Sequence, residues 1–173
     1  MRKSPTSQTE KALVAYVQGS KADTALESVR VYASGLAGPA NAAPESSTLL
    51  PAPAAPVVAP PSLIFTASRP EQFNPTCSIY ELRLTACLAT EIYDEQVTDA
   101  EDVHRERLEA LRDLLEDLAT VQAFVNAPVS GTDSRAITNF CLSGLTYEDE
   151  DTRTSDNKIE TELFYYVCSS PTD

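Results

Sequence analysis

Nine of the chain's twelve prolines fall between Leu36 and Pro75, among alanines and serines. Proline fixes φ and has no backbone N–H, so a stretch of this composition forms neither a helix nor a central strand. It predicts a long extended arm or loop at 36–61, inside a chain of 173 residues that is long enough for one domain with its own core. The apolar run 62–67, bounded by prolines, is predicted to be a short strand.

The arm carries four large apolar residues, namely Leu49, Leu50, Val57 and Val58. Such side chains are unfavourable on a fully exposed segment. We therefore expect these four residues to dock on a neighbouring subunit. The other interpretation is a mobile linker.

The clearest strand in the sequence is 76–92, where apolar and polar residues alternate. One face of this strand is predicted to meet the core and the other to meet water or a partner. Glu81 and Arg83, on the second face, are candidates for subunit contacts. A helix over 7–18 and a strand over 27–33 are predicted before the arm.

A long amphipathic helix is predicted over 100–126, behind a capping box at 98–101. Its apolar residues recur at helical spacing and include Leu108, Leu111, Leu115, Leu118 and Val125. His104 lies near its first turns, beside Arg105 and Arg107, and is predicted to belong to a solvated face.

Two further strands are predicted at 136–147 and 158–169, joined by EDEDTRTSDN. Four consecutive carboxylates, Glu148, Asp149, Glu150 and Asp151, open this connection. Mutual repulsion makes such a run costly unless it is solvated, binds a cation or is needed for its field. The pattern predicts a protruding hairpin whose acidic tip lies away from the core.

The charge balance, 26 acidic against 13 basic residues, argues against tight binding to a phosphate backbone. No apolar run approaches the length of a membrane span, and no apolar segment follows the two basic residues near the N-terminus. These features predict an intracellular protein without a membrane contact.

Catalytic and metal signatures are not found in the sequence. It lacks a glycine-rich phosphate loop, a nucleophile elbow and a histidine-bearing metal motif, and its single histidine argues against a general base. The acidic run has neither the spacing nor the glycine of an EF-hand loop. The four cysteines are spaced as reduced thiols packed in strands. We expect no catalytic residues, no cofactor and no metal site.

The order of these elements resembles the tail terminator, or tail-completion, proteins of long-tailed bacteriophages. The resemblance covers roughly 62–169 and is carried by three stretches, namely SIYELRLTACLATEIYDEQ, DAEDVHRERLEALRDLLEDLATVQAFVN and ITNFCLSGLTYEDEDTRTSDNKIETELFYYV. It implies an α+β subunit with a mixed or antiparallel sheet of about four to five strands and two helices packed on one face. The Pro/Ala-rich arm is longer than such a subunit needs.

The resemblance also implies a function in the virion. The subunit would form a homo-oligomeric, hexameric ring in the neck that ends tail-tube polymerisation and joins the tail-tube protein to the head connector. Genome DNA would pass through the ring without specific binding. Glu148, Asp149, Glu150 and Asp151 would then line the lumen and repel DNA.

Other interpretations of the sequence stay open. Another neck, head-closure or tail-tube protein is also a small β-rich ring former, and tube subunits differ by stacking into filaments. A small enzyme or metal-binding regulator would use the acidic loop. A monomeric acidic binding module is the simplest alternative, and the acidic run would then only keep the protein in solution.

Overall fold

Three helices and six strands form within the part of the chain that the computed structural model describes, residues 5–34, 58–68, 72–74, 79–93, 97–125 and 140–171. The helices are α1 (Pro5–Ser20), α2 (Val97–Glu116) and α3 (Leu118–Val125). The strands are β1 (Arg30–Ala33), β2 (Ser62–Ala67), β3 (Gln72–Asn74), β4 (Ile79–Glu91), β5 (Phe140–Thr154) and β6 (Lys158–Pro171).

The strands form one mixed sheet in the order β1-β2-β4-β6-β5, and the short β3 pairs with the first residues of β4. β1 and β2 are parallel, whereas every other pairing is antiparallel. The α+β prediction, with a mixed sheet and helices on one face, is confirmed. The sheet has one more short strand than predicted, and the long second helix is divided in two.

Alternation along the strands places one face of the sheet against the helices. Leu82, Leu84, Ala86 and Leu88 of β4 are fully buried on this face, which we call the helix face. They share a core with apolar residues of α1 and α2 and of the neighbouring strands, including Leu13, Val17, Phe65, Leu111, Leu115 and Leu163. The opposite face, which we call the outer face, has no described helix packed on it.

The predicted helix over 100–126 is broken at Asp117, where α2 ends and α3 begins. The Asp117 carboxylate accepts hydrogen bonds from the backbone N–H and the hydroxyl of Thr120, which is the pattern of an N-cap. These hydrogen bonds to Thr120 hold the pKa of the Asp117 carboxyl below its usual value. The capping residue therefore starts a new helix in the middle of a continuous apolar pattern.

The proline-rich arm connects the two parallel strands of the sheet. β1 ends at Ala33 and β2 begins at Ser62, and parallel neighbours need a crossover of at least a dozen residues. The arm therefore supplies a connection that the topology requires. Residues 35–57 lie outside the described part of the chain, and with them Leu49, Leu50 and Val57, whereas Val58 is half-buried where the chain approaches β2.

Candidate interaction surfaces

The four consecutive carboxylates lie within strand β5 and not at a hairpin tip, so that part of the prediction is wrong. β5 continues through them to Thr154, and the turn consists of residues 155–157, closed by a hydrogen bond from Ser155 N to Lys158 O. The reason is β6, whose long pairing register gives every residue from Asp149 to Thr154 a partner. The β5–β6 hairpin itself is as predicted.

Because of a β-bulge at Glu148, the four carboxylates are divided between the two faces of the sheet. Tyr147 is opposite Tyr165 on the helix face, and the register shifts before Asp149, which is opposite Phe164. Glu148 and Asp149 both point to the outer face, Glu150 points to the helix face and Asp151 points outward. All four are exposed, and β5 is an edge strand of the sheet.

Three arginines lie beside the acidic strand. Arg112 of α2 pairs with Glu150, Arg83 lies 3.9 Å from Glu148, and Arg153 lies 3.2 Å from Asp151. Exposed pairs of this kind stabilise a fold by about 0–1 kcal/mol each. Their larger effect is to lower the repulsion within the run while leaving an acidic edge.

The outer face carries the two residues predicted from the alternation of β4. Glu81 is opposite Cys168 and Arg83 is opposite Tyr166, and Arg83 is exposed. The middle of this face is more apolar. Tyr32, Ile64 and Cys87 form a row across β1, β2 and β4 that continues on β6 with Glu162, and Phe164 is the next outward residue along β6.

His104 is buried, so its predicted place on a solvated face is wrong, as is that of Arg107. The two residues are 5% and 7% exposed. His104 Nδ1 lies 2.8 Å from Thr90 Oγ1, and Nε2 lies 2.8 Å from Thr161 Oγ1. The physical reason is spacing, because residues 104, 108, 111 and 115 share one helix face, and that face meets the sheet.

Hydrogen bonds extend from the histidine in both directions. Thr161 Oγ1 lies 2.9 Å from Thr152 Oγ1, and Arg107 donates to Thr90 and to Glu91. Arg107 can only donate, so Thr90 keeps its own proton for His104 Nδ1, which favours a neutral ring that donates from Nε2.

Burial and the nearby Arg107 cation lower the pKa of His104 to about 4. The histidine is therefore neutral at pH 7. Both threonine hydroxyls beside it are buried, so they do not face a substrate. This cluster is best described as a polar element of the packing between α2 and the sheet.

An open groove separates the end of α2 from β5. It has a volume of about 510 Å³ and is lined by Leu115, Leu145, Tyr147 and Tyr165, with Arg112 and Glu116 at its polar margin. The Tyr147 and Tyr165 rings meet edge to face with centroids 5.8 Å apart. Burial raises the pKa of Tyr165 to about 12, although Arg112 acts in the opposite direction. The sequence analysis missed this groove because its walls come from three elements.

The described residues contain neither a cluster of metal ligands nor a membrane-spanning helix. Within them, no three or more His, Cys, Asp or Glu side chains are grouped as a metal would require. None of the three helices in the described ranges has the length and apolar character of a membrane span.

No protein-family model matches the chain, and no curated protein matches it. A function for the chain is therefore inferred from the geometry of the molecule and from the resemblance in the order of its elements.

Proposed function

We propose that this chain is a structural subunit of a long-tailed phage virion, of the tail-terminator type, which assembles into a ring at the head-proximal end of the tail. Six copies would end the tail tube and offer a surface to the head connector. The proposal is supported by the α+β fold with all described helices on one face. The main observation behind the proposal is that the two edges of the sheet differ in charge.

One edge of the sheet is strongly acidic. β5 contributes Glu148, Asp149, Glu150 and Asp151, against Arg153. A two-fold contact between two β5 edges would bring four carboxylates against four others, which is repulsive at close range.

The other edge of the sheet, formed by β1, has a different balance of acidic and basic side chains. The edge strand β1 carries the exposed Arg30, and the loop before it carries the half-buried Lys21 and the exposed Asp23 and Glu27, so acidic and basic side chains balance here. Contact between unlike edges is therefore electrostatically favoured over contact between two acidic edges. Such a head-to-tail contact is heterologous, and it generates either a closed ring or an open filament.

The experiment is the mass of the purified protein by light scattering over a range of concentrations, with negative-stain images of the same fractions. Closed rings of a single layer, about six subunits in mass, are expected. Long stacks would indicate a tube subunit instead. A particle of monomer mass, both alone and with ends of purified tail tubes, would contradict the proposal.

A charge exchange tests the edge contact itself. Arg30→Glu should weaken assembly, and Asp151→Arg in the same chain should restore part of it if the two edges meet. Lys11→Glu paired with Glu109→Arg is a matched control, because these exposed residues lie on α1 and α2 and outside the two edge strands.

A further inference from the structure

The outer face of the sheet carries apolar side chains that no described helix covers. Ser62 of β2 and Ala89 of β4 are opposite each other and point away from the helices, yet they are 3% and 6% exposed. Tyr32, Ile64 and Cys87, in the next row, are only half-buried. A face with this many apolar side chains normally packs against something.

The connection between β1 and β2 has to pass one face of the sheet. These strands are parallel neighbours, so the chain returns from the end of β1 to the start of β2 over either the helix face or the outer face. Crossovers between parallel strands of one sheet are right-handed in roughly 98% of cases. The preference for a right-handed crossover therefore determines which face the connection passes over, once the left-to-right order of β1 and β2 on one face is known.

Two backbone hydrogen bonds fix that order. Ser68 N donates to Arg83 O at 2.8 Å, and Arg30 N donates to Pro61 O at 3.2 Å. In a strand of L-residues that runs upward, a residue whose side chain points to the viewer has its N–H and C=O pointing right. Since residues 64, 66 and 68 point to the outer face, a viewer of that face, with β2 upward, sees β4 on the right and β1 on the left.

With β1 on the left and β2 on the right, a right-handed crossover passes in front of the sheet, which is over the outer face. The helix face is already occupied at this point. Leu13, Tyr16 and Val17 of α1 are buried in the core that also contains Val31 of β1 and Leu63 of β2. A connection on that side would have to displace α1 or pass beyond it.

We propose that the proline-rich arm crosses the outer face of its own sheet and that its apolar residues, Leu49 and Leu50 first, cover the row Tyr32, Ile64 and Cys87. Residues 35–57 provide more chain than the crossover needs, so part of the arm is available to spread toward Phe164 on β6. The arm contains one charged residue, Glu45, which suits an apolar face bordered by carboxylates. The apolar residues assigned from sequence to a neighbouring subunit are then part of the subunit's own packing.

The test replaces Ile64 with the photo-crosslinking residue p-benzoylphenylalanine in an equal mixture of ¹⁴N- and ¹⁵N-labelled full-length protein. We expect crosslinks between residue 64 and peptides of 36–57 in which both linked peptides carry the same nitrogen isotope. Mixed-isotope crosslinks would place the arm on a neighbouring copy, and crosslinks that never reach the arm would leave it off this face, so either result overturns the proposal. The same probe at Val103, which is 40% exposed on α2, is the control and should not reach the arm.

A second measurement does not depend on the probe. Leu49→Ser with Leu50→Ser should raise amide hydrogen exchange in β1 and β2 by about tenfold or more while leaving α2 unchanged. Ala42→Ser with Ala43→Ser is the matched control in the same arm. Unchanged exchange in β1 and β2 would contradict the proposal. None of these results requires a ring, so the proposed function and this inference can fail separately.

Discussion

The imidazole of His104 and the hydroxyl of Thr161 connect the middle of α2 to strand β6, with Nε2 2.8 Å from Oγ1. Thr90 of β4 holds the other ring nitrogen. One helix is thereby fixed to two adjacent strands by a side chain whose charge depends on pH. The contact differs in this respect from the leucine contacts that follow it along α2.

The first prediction concerns acid stability. His104 has an ordinary pKa of 6.5 in the unfolded chain and about 4 in the folded one, so the unfolded chain binds a proton that the folded chain does not. The stabilisation is complete above about pH 6.5 and is lost as the pH falls toward 4, with a loss of about 3 kcal/mol. Urea unfolding of the wild type at a series of pH values measures it.

His104→Gln is the control for that experiment. Glutamine retains hydrogen-bonding capacity but does not titrate, so this part of the pH dependence should disappear while that of Asp117 stays. Equal slopes for wild type and variant between pH 6.5 and 4 would show that His104 does not cause the loss.

The second prediction concerns Thr161, which is fully buried. Thr161→Val keeps the shape but removes the hydroxyl between His104 and Thr152, leaving a buried ring nitrogen without its partner. We expect a loss of about 1–3 kcal/mol in the free energy of unfolding. Thr152→Val removes the same group from an exposed position and should cost less than about 0.5 kcal/mol. Equal effects of the two changes would contradict the proposed role of the network.

The third prediction concerns the pair formed by Arg112, which lies at the margin of the groove, and Glu150. Both side chains are 37% exposed, so solvent screens the attraction. A double-mutant cycle with Arg112→Met and Glu150→Gln should give a coupling of about 0.2–1 kcal/mol that decreases with salt. A coupling well above this range, unaffected by salt, would mean that the pair is buried in the assembled protein.

Several elements are predictable from the sequence because their cause is local. The strand at 62–67 begins and ends at the predicted residues, since prolines limit it. The alternation of β4 correctly separates Leu82 and Leu84 from Glu81 and Arg83. The helical spacing of the sequence also indicates that His104 lies on the apolar face of the helix. The prediction of a solvated face followed the polar character of its neighbours instead, and it was wrong.

Other features depend on contacts between distant residues. The acidic run was predicted to be a hairpin tip because four carboxylates disfavour a strand in isolation. Pairing with 162–164 of β6 overrides that preference, and Arg112, far away in sequence, lies beside the one carboxylate on the helix face. The groove and the handedness of the β1–β2 connection likewise depend on the assembled sheet and have no local signal.

The last prediction tests the lumen assignment of the acidic strand, which follows from the proposed function. Glu148→Lys, Asp149→Lys and Asp151→Lys together should make assembled rings retain double-stranded DNA, whereas wild-type rings should not. Retention should fall by about tenfold or more between 50 and 200 mM salt, because phosphate contacts release counterions. Co-sedimentation of rings with labelled DNA measures it.

The control has the same change in net charge at another place. Glu101, Asp102 and Glu106 are exposed on α2, and their replacement by lysine should leave DNA retention lower than in the β5 variant. DNA that threads the ring is expected to slide off a linear end and to stay when both ends are blocked by bulky groups. If the two variants retain DNA equally, and blocking the ends makes no difference, the carboxylates of β5 do not line the lumen. Their place would then be the outside of the ring, where an acidic edge strand prevents unwanted pairing with other sheets.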